Sequence, residues 1–406
     1  MKQNIEIQKE RLFNLVNHAI NNVPYYQRIA RERNIRITKE TIYEDVRKFP
    51  VLTKDIIRQH WKELHAPLKL KKYIINTSGG TTGEPIKIIQ DQKYSIESYA
   101  GTIVFDEFAG VHGGDKIVKL WGNEKEVQNA TRGMGYFVER VFNNTYFQNS
   151  FKMGDNKIRQ YVAELNKIRP KSIVAYVQSL YEMARFIDKR NLTVPPLHSV
   201  IVSAGTLTDD VRAFIERVFK CKVFNRYGSR EVGLTASSCD KENQLHINML
   251  QKYIEIVDDQ YNVVQEHERG NIIVTNLLCY AMPLVRYMIG DRGALNFSPC
   301  SCGRGLARLE NVFGRVVDVF KNRKGELIDG EYFTHLFYFR ENVKKFQVVQ
   351  EKIDEINIAI VTDNSKSLDH SVENDILEKV CLVMGQDCTV NLRYVDEIPP
   401  SSSGKM

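Results

Sequence analysis

Long hydrophobic runs are missing from this chain, and so is any block of like charge. No apolar stretch reaches the roughly 20 residues that a membrane-spanning helix needs. The opening MKQNIEIQKERLF has no apolar core of the kind a signal peptide carries. The expectation is therefore a cytoplasmic protein with no membrane span. Lys and Arg total 57 against 50 Asp and Glu, a net charge of +7. No run of five like charges and no basic helix with interleaved aromatics is present, which argues against nucleic-acid binding. The small positive excess suits solubility and the attraction of an anionic ligand equally. Cysteine is sparse, with seven in 406 residues, so a disulfide scaffold is excluded. Internal repeats, low-complexity stretches and a Ser-His-Asp arrangement around a nucleophile elbow are also missing.

What remains is an ordinary enzyme-like composition, 43% hydrophobic and 26% charged, with nineteen Tyr and nineteen Phe for core and pocket. The length calls for more than one domain. Residues 1 to about 72 read as a helical lead-in: Ile7, Leu12, Leu15, Val16 and Ala19 recur at helical spacing, and Pro24 ends the pattern. From Lys72 short apolar runs alternate with amphipathic stretches. Strands are expected at 116–122, 171–177, 198–205 and 222–228, and helices at 155–168, 179–190 and 209–219. That alternation implies an α/β fold with parallel sheets and helices on both faces. Residues 250–315 read as strands joined by turns, an antiparallel or barrel-like part. After about 318 a hairpin (346–363), a helix (372–385) and a strand (388–396) describe a small α+β domain. The expected division is 1–317 for the large domain and 318–406 for the small one.

The strongest signal is a glycine-rich loop. The apolar run Tyr73–Ile75 leads into Thr77, Ser78, Gly79, Gly80, Thr81, Thr82, Gly83, Glu84 and Pro85, and a second apolar run follows. Glycines let backbone N–H groups face an anion closely, and the hydroxyls add donors. The loop suits a polyphosphate. It is not a Walker A loop, because Glu84 and Pro85 stand where Gly-Lys-Ser/Thr would end it. A second constellation is Cys239 and His246 with the pair Cys300 and Cys302. Three thiolates and one imidazole make a closed tetrahedral zinc set, which leaves no open position for catalysis. Three unrelated cysteines and a core histidine would give the same letters. Cys221, Cys279, Cys381 and Cys388 read as ordinary buried thiols.

The loop TSGGTTGEP resembles the phosphate loop of the adenylate-forming superfamily of acyl-CoA synthetases, adenylation domains and luciferases. Within it the chain is most similar to the phenylacetate–CoA ligase branch, which includes CapK-type proteins of polysaccharide gene clusters. The remaining segments follow in the family's order. Asn225-Arg226-Tyr227-Gly228-Ser229-Arg230-Glu231 resembles the motif whose tyrosine stacks on adenine and whose glutamate binds Mg2+. Ser203-Ala204-Gly205 resembles the segment that lines the adenine. Asp291, after Tyr287-Met288-Ile289-Gly290, resembles the aspartate that holds the ribose hydroxyls. Gly314-Arg315-Val316-Val317-Asp318 resembles the hinge, with Arg315 near the ribose and Asp318 as pivot. Lys405, in Pro399–Lys405, resembles the lysine that meets charge developing between carboxylate and α-phosphate.

The resemblance implies an enzyme that uses ATP and Mg2+ to turn a carboxylic acid into an acyl-AMP with release of pyrophosphate. A small mobile lid would then turn, and the acyl group would pass to CoA, or to an amine or sugar in polysaccharide assembly. Some members of the branch carry a metal at a similar C…H…C-x-C pattern. Trp121, Tyr146, Phe147, Tyr176 and Gln178 are candidates for the acid pocket. Arg230 departs from the small hydroxyl residue usual at its place, and is a further pocket candidate, for the substrate's carboxylate or a second anionic group. The chain ends one residue after Lys405, where the family usually continues. A catalytically inactive nucleotide-binding scaffold fits the same features, and oligomeric state is open between monomer and homodimer.

Overall fold

Leu12, Leu15, Val16 and Ala19 share one helical face, and the computed structural model buries all four in α1 (Lys2–Asn22). Ile7 is instead 36% exposed, and Gln8 takes the buried place, its amide donating to the Lys252 carbonyl at 2.7 Å. Pro24 opens a second helix, α2 (Pro24–Glu32); a first-turn proline loses no helical hydrogen bond. Short helices α3 (Ile42–Asp45) and α4 (Lys54–Gln59) follow. The structure describes residues 1–67, 72–77, 86–121, 143–150, 153, 155–205, 207–313, 319–323, 325, 327–337, 342–362 and 367–398.

An antiparallel pair, β1 (Tyr73–Thr77) and β2 (Lys87–Asp91), flanks the glycine-rich stretch, with Thr77 opposite Lys87. Asp91 caps α5 (Gln92–Phe108), its carboxylate accepting from the Tyr94 N–H at 2.8 Å. The alternation read from the sequence then appears. Strands β3 (Ile117–Trp121), β4 (Thr145–Asn149), β5 (Ser172–Tyr176), β6 (Ser199–Ser203) and β7 (Lys222–Ser229) are parallel, in the order β7-β6-β5-β3-β4. Helices α6 (Asp155–Ile168), α7 (Val177–Lys189) and α8 (Asp209–Phe219) lie between them in sequence. β5 is buried at every position, as a strand covered on both faces must be.

The barrel-like expectation for 250–315 is corrected. Strands β8 (Gly233–Ser237), β9 (Leu245–Ile247), β10 (Lys252–Val257), β11 (Gly270–Asn276), β12 (Tyr287–Asn296) and β13 (Arg308–Phe313) are antiparallel, but they extend the same sheet. The full order is β10-β11-β12-β13-β9-β8-β7-β6-β5-β3-β4, and its ends do not meet among the described residues. The physical reason lies in β7. It pairs in parallel with β6 as far as Asn225 and antiparallel with β8 from Arg226 onward. The antiparallel half thus grows out of the parallel one instead of curling into a body of its own. Gly228 permits the joint: a β-carbon there would lie 2.5 Å from the Gly233 carbonyl oxygen.

The chain divides into two compact units. The first holds the eleven-stranded sheet and the amino-terminal helices. In the second, β14 (Val319–Lys321) and β15 (Leu327–Asp329) pair antiparallel, and α9 (Gly330–Phe337) follows. A three-stranded sheet of β16 (Val343–Lys352), β17 (Glu355–Thr362) and β18 (Thr389–Tyr394) is crossed by α10 (His370–Met384). β17 alternates half-buried and buried positions, so Ile356, Ile358 and Ile360 face Ile376, Val380 and Met384 in one core. No helix among the described residues is long and apolar enough to cross a membrane.

Candidate active site

In an open parallel sheet, ligands collect at the carboxyl ends of the strands, because the chain leaves the sheet there through loops free to specialise. Here those ends carry Trp121, Tyr176, Ser203 and the segment after Asn225. Ser203-Ala204-Gly205 turns sharply out of β6: Ala204 takes φ 50°, in the left-handed region, and Gly205 φ 151°. Ser203 Oγ donates to the Arg226 carbonyl at 3.3 Å. This ties the adenine-lining candidate to the start of the aromatic-Gly motif. Asn225 is fixed through its backbone, its N–H donating to Ser238 Oγ at 2.8 Å. Ser229 Oγ accepts from the Val232 N–H at 3.4 Å and so braces the turn before β8. The Arg226 guanidinium is paired with Asp106 of α5, both largely buried. Asp106 had no signal in the sequence.

Two hydrogen bonds organise the acidic residues. Tyr227 donates through its hydroxyl to Asp291 Oδ2 at 2.7 Å, joining β7 to β12. Tyr287 donates to Glu231 Oε1 at 3.2 Å, and the Lys54 ammonium lies 3.7 Å from the same oxygen. Glu231 is 4% exposed, so both contacts reach a carboxylate withdrawn from water. One buried hard-oxygen donor fits Mg2+, which is held by one or two carboxylates and otherwise keeps water and phosphate ligands. The flank of the glycine-rich loop reaches the same place: Gln90 Nε2 on β2 donates to the Arg230 carbonyl at 3.0 Å. Thr77 ends β1 with its N–H donating to Asn76 Oδ1 at 2.9 Å. Ser78, Gly79, Gly80, Thr81, Thr82, Gly83, Arg315, Asp318 and Lys405 lie outside the described residues.

The pocket candidates separate. Trp121 and Tyr176 come together at the ends of β3 and β5, ring centroids 4.2 Å apart and planes inclined by 32°. Tyr146 and Phe147 are neighbours on β4 and so point to opposite faces; the Lys119 ammonium sits 5.5 Å above the Phe147 ring. Gln178 donates to Glu182 one turn along its own helix at 3.2 Å. Nothing in the sequence placed Lys54 or Asp106 at the site, since each arrives from a segment remote from every motif, and Gln90, although it follows the glycine-rich loop closely, carries no signal of its own.

Cys239, His246, Cys300 and Cys302 converge, their ligand atoms all within 4.8 Å of one another. Cys239 Sγ is 3.8 Å from Cys300 Sγ, and Cys302 Sγ is 3.6 Å from His246 Nε2. A tetrahedral ion bonded at about 2.3 Å to sulfur and about 2.0 Å to nitrogen separates two sulfurs by about 3.8 Å and sulfur from nitrogen by about 3.5 Å. Backbone N–H groups of Lys241 and Glu242 donate to Cys239 Sγ, each at 3.3 Å, and the Cys302 N–H donates to Cys300 Sγ at 3.4 Å. Burial, with Arg308 and Arg304 adding to it, pushes the His246 imidazole down to about 4, which keeps it neutral and a ligand. Spacing and donor chemistry both fit zinc. The cluster links the end of β8 and β9 to the loop between β12 and β13. Of the other cysteines, Cys279 and Cys388 are buried, whereas Cys221 and Cys381 are half-buried. Both stand at surface ends of elements, the first just before β7 and the second in the last turn of α10.

Comparison with known proteins agrees with this architecture. The CapK C-terminal domain family matches residues 320–406. Protein CapK of Staphylococcus aureus is 26% identical over 98% of this chain and 87% of its own length. A phenylacetate–coenzyme A ligase of Thermus thermophilus is 24% identical over 98% of this chain and 94% of its own. Among solved structures, 2-hydroxyisobutyryl-CoA ligase with 2-HIB-AMP and CoA has the same fold, with a TM-score of 0.63 at 17% identity over 99% of this chain and 88% of that one. By these similarities the chain resembles the CapK- and phenylacetate–CoA-ligase-like branch of the adenylate-forming superfamily.

Proposed function

We propose that this protein is an AMP-forming acid ligase that converts a carboxylic acid and ATP to an acyl-AMP and pyrophosphate, then passes the acyl group to CoA. The Tyr227–Asp291 hydrogen bond, beside the buried Glu231, carries this reading. An aromatic ring next to a carboxylate suits a nucleoside, with a face for the base and a charged acceptor for the ribose diol. The bond from Gln90 to Arg230 ties β2, the strand that follows the glycine-rich stretch in sequence, to the residue before Glu231, which supports a phosphate role for that stretch. The likeness to phenylacetate–CoA ligases, over 98% of this chain for that of Thermus thermophilus, supports the reaction class and CoA as acceptor.

In this reading a carboxylate oxygen attacks the α-phosphorus in line, and the bond to the bridging oxygen of pyrophosphate breaks. Thr77–Gly83 hold the β- and γ-phosphates. Ser203–Gly205 and Asn225–Ser229 surround the adenine, while Asp291 and Arg315 hold the ribose. Trp121 and Tyr176 are the pocket candidates that the fold brings together, and Arg230 is a candidate for a second anion. Glu231 would hold Mg2+, which when bound neutralises phosphate charge. Lys405 stabilises the transition state, and Asp318 is the hinge between domains 1–317 and 318–406. The four-residue Cys/His cluster holds a structural zinc ion, and the reaction runs in the cytoplasm.

The test is product analysis by mass spectrometry with ATP, a panel of carboxylic acids, and CoA, amines or sugars as acceptors, comparing the parent with Lys405→Ala. AMP and pyrophosphate from the parent, strongly reduced in the variant, are expected. ADP with phosphate would point to a kinase or ATPase. No turnover with any acid would leave a nucleotide-binding scaffold.

A further inference from the structure

The ammonium beside Glu231 comes from the amino-terminal helices, and its place is built rather than accidental. The Leu52 N–H donates to the Arg286 carbonyl at 2.8 Å, and the Met288 N–H donates to the Leu52 carbonyl at 3.0 Å. Leu52 thereby forms a parallel bridge beside Tyr287, the residue whose hydroxyl reaches Glu231. Thr53 then caps α4, its hydroxyl accepting from the Ile56 N–H at 3.3 Å. Lys54 follows at once. Its side chain is 17% exposed and its ammonium 3.7 Å from Glu231 Oε1.

A withdrawn ion pair loses much of its attraction to desolvation, so stability alone is a weak reason for this lysine. The composition of the glycine-rich stretch supplies a better one. Thr77-Ser78-Gly79-Gly80-Thr81-Thr82-Gly83-Glu84-Pro85 contains no cation. A Walker loop, by contrast, brings its own lysine to the terminal phosphates. A polyphosphate held here needs positive charge from another segment. If Glu231 takes a divalent cation, the ammonium beside it faces that cation, and the arrangement is stable only with an anion between the two.

We propose that Lys54 is the phosphate-contacting cation of the nucleotide site. It is the counter-ion of Glu231 while the site is empty, and it moves to the metal-bound phosphate oxygens when ATP enters. The inference rests on the ATP reading above.

Isothermal titration of the full-length protein with ATP, and separately with adenosine, in saturating Mg2+ tests it. Lys54→Met and Lys54→Arg are compared with the parent and with Lys39→Met, an exposed lysine paired to Glu10. Lys54→Met should lose about tenfold or more in ATP affinity, as a charged hydrogen bond predicts, and keep adenosine affinity within about twofold. Lys54→Arg should recover most of the loss, because guanidinium also binds phosphate. Lys39→Met should match the parent. Equal ATP affinity in Lys54→Met and the parent overturns the proposal. So does an equal loss of ATP and adenosine accompanied by a lower melting temperature, which marks a structural role. If the parent binds neither ligand, the ATP reading itself falls and takes this one with it.

Discussion

Arg286→Met offers a direct test of what holds the acidic side of the site in place. Arg286 and Glu255 are 4% and 2% exposed, and Nε donates to Glu255 Oε2 at 3.1 Å. The guanidinium also donates to the carbonyls of Arg47 and Phe49, at 2.9 and 2.8 Å. It thus pins the segment that leads to Leu52 and Lys54 against the sheet. Methionine keeps the volume and the same left-handed backbone cost at φ 56°, so the change removes the charge and its hydrogen bonds without a cavity or new strain. Removing one partner of a buried pair costs roughly 3–5 kcal/mol. With about 2.1 cal/mol/K of unfolding entropy per residue and about 300 residues in the first unit, a loss of about 4 kcal/mol lowers Tm by about 6 °C. The loss also has a sign in pH. Burial raises the Glu255 pKa above its ordinary 4.5, and Arg286 opposes that rise without cancelling it. A carboxyl raised in the folded state favours folding below its ordinary pKa, and that contribution disappears as pH climbs through the folded value. Without Arg286 the folded value climbs further. Urea unfolding should therefore show a larger defect at alkaline than at acidic pH, because Glu255 gains a proton as the pH falls. Adding Glu255→Gln to Arg286→Met should restore part of the stability, since no buried charge is then left alone. A defect below about 1 kcal/mol, or one independent of pH, would refute the reasoning.

The site carries two further expectations. Asp291→Asn should weaken ATP and adenosine alike, by about tenfold to a hundredfold for a lost charged acceptor, whereas Tyr227→Phe should cost less than tenfold; equal and unchanged titrations for both variants would remove the nucleoside from this place. Cys302→Ser should abolish a stoichiometric zinc seen by elemental analysis of the parent and lower Tm, while adenosine affinity stays measurable; a parent free of zinc when expressed with the metal would sink the assignment.

How far the sequence could be read depended on where the information lay. Four strands of the parallel half were legible because each is a short apolar run beside amphipathic stretches, and α6 and α8 fall where periodicity put them, at 155–168 and 209–219; β4, with the mixed run TYFQN, was not legible. The antiparallel half was legible as strands but not as topology. Closure depends on whether the end strands pair, and β10 and β4 carry nothing local that says they do not. The metal constellation was legible through spacing, since C-x-C fixes two ligands, while its convergence with Cys239 and His246 needed the β8–β9 and β12–β13 pairings. Lys54 was illegible for a related reason. A lysine after a threonine at a helix start is commonplace, and only the bridge from Leu52 to Tyr287 turns it toward Glu231. Motifs mark residues whose chemistry is set by their sequence neighbours. The counter-charges and braces of a site, such as Lys54, Asp106 and Arg286, are set by neighbours in space. They are where mutation should separate a nucleotide site from a fold that merely resembles one.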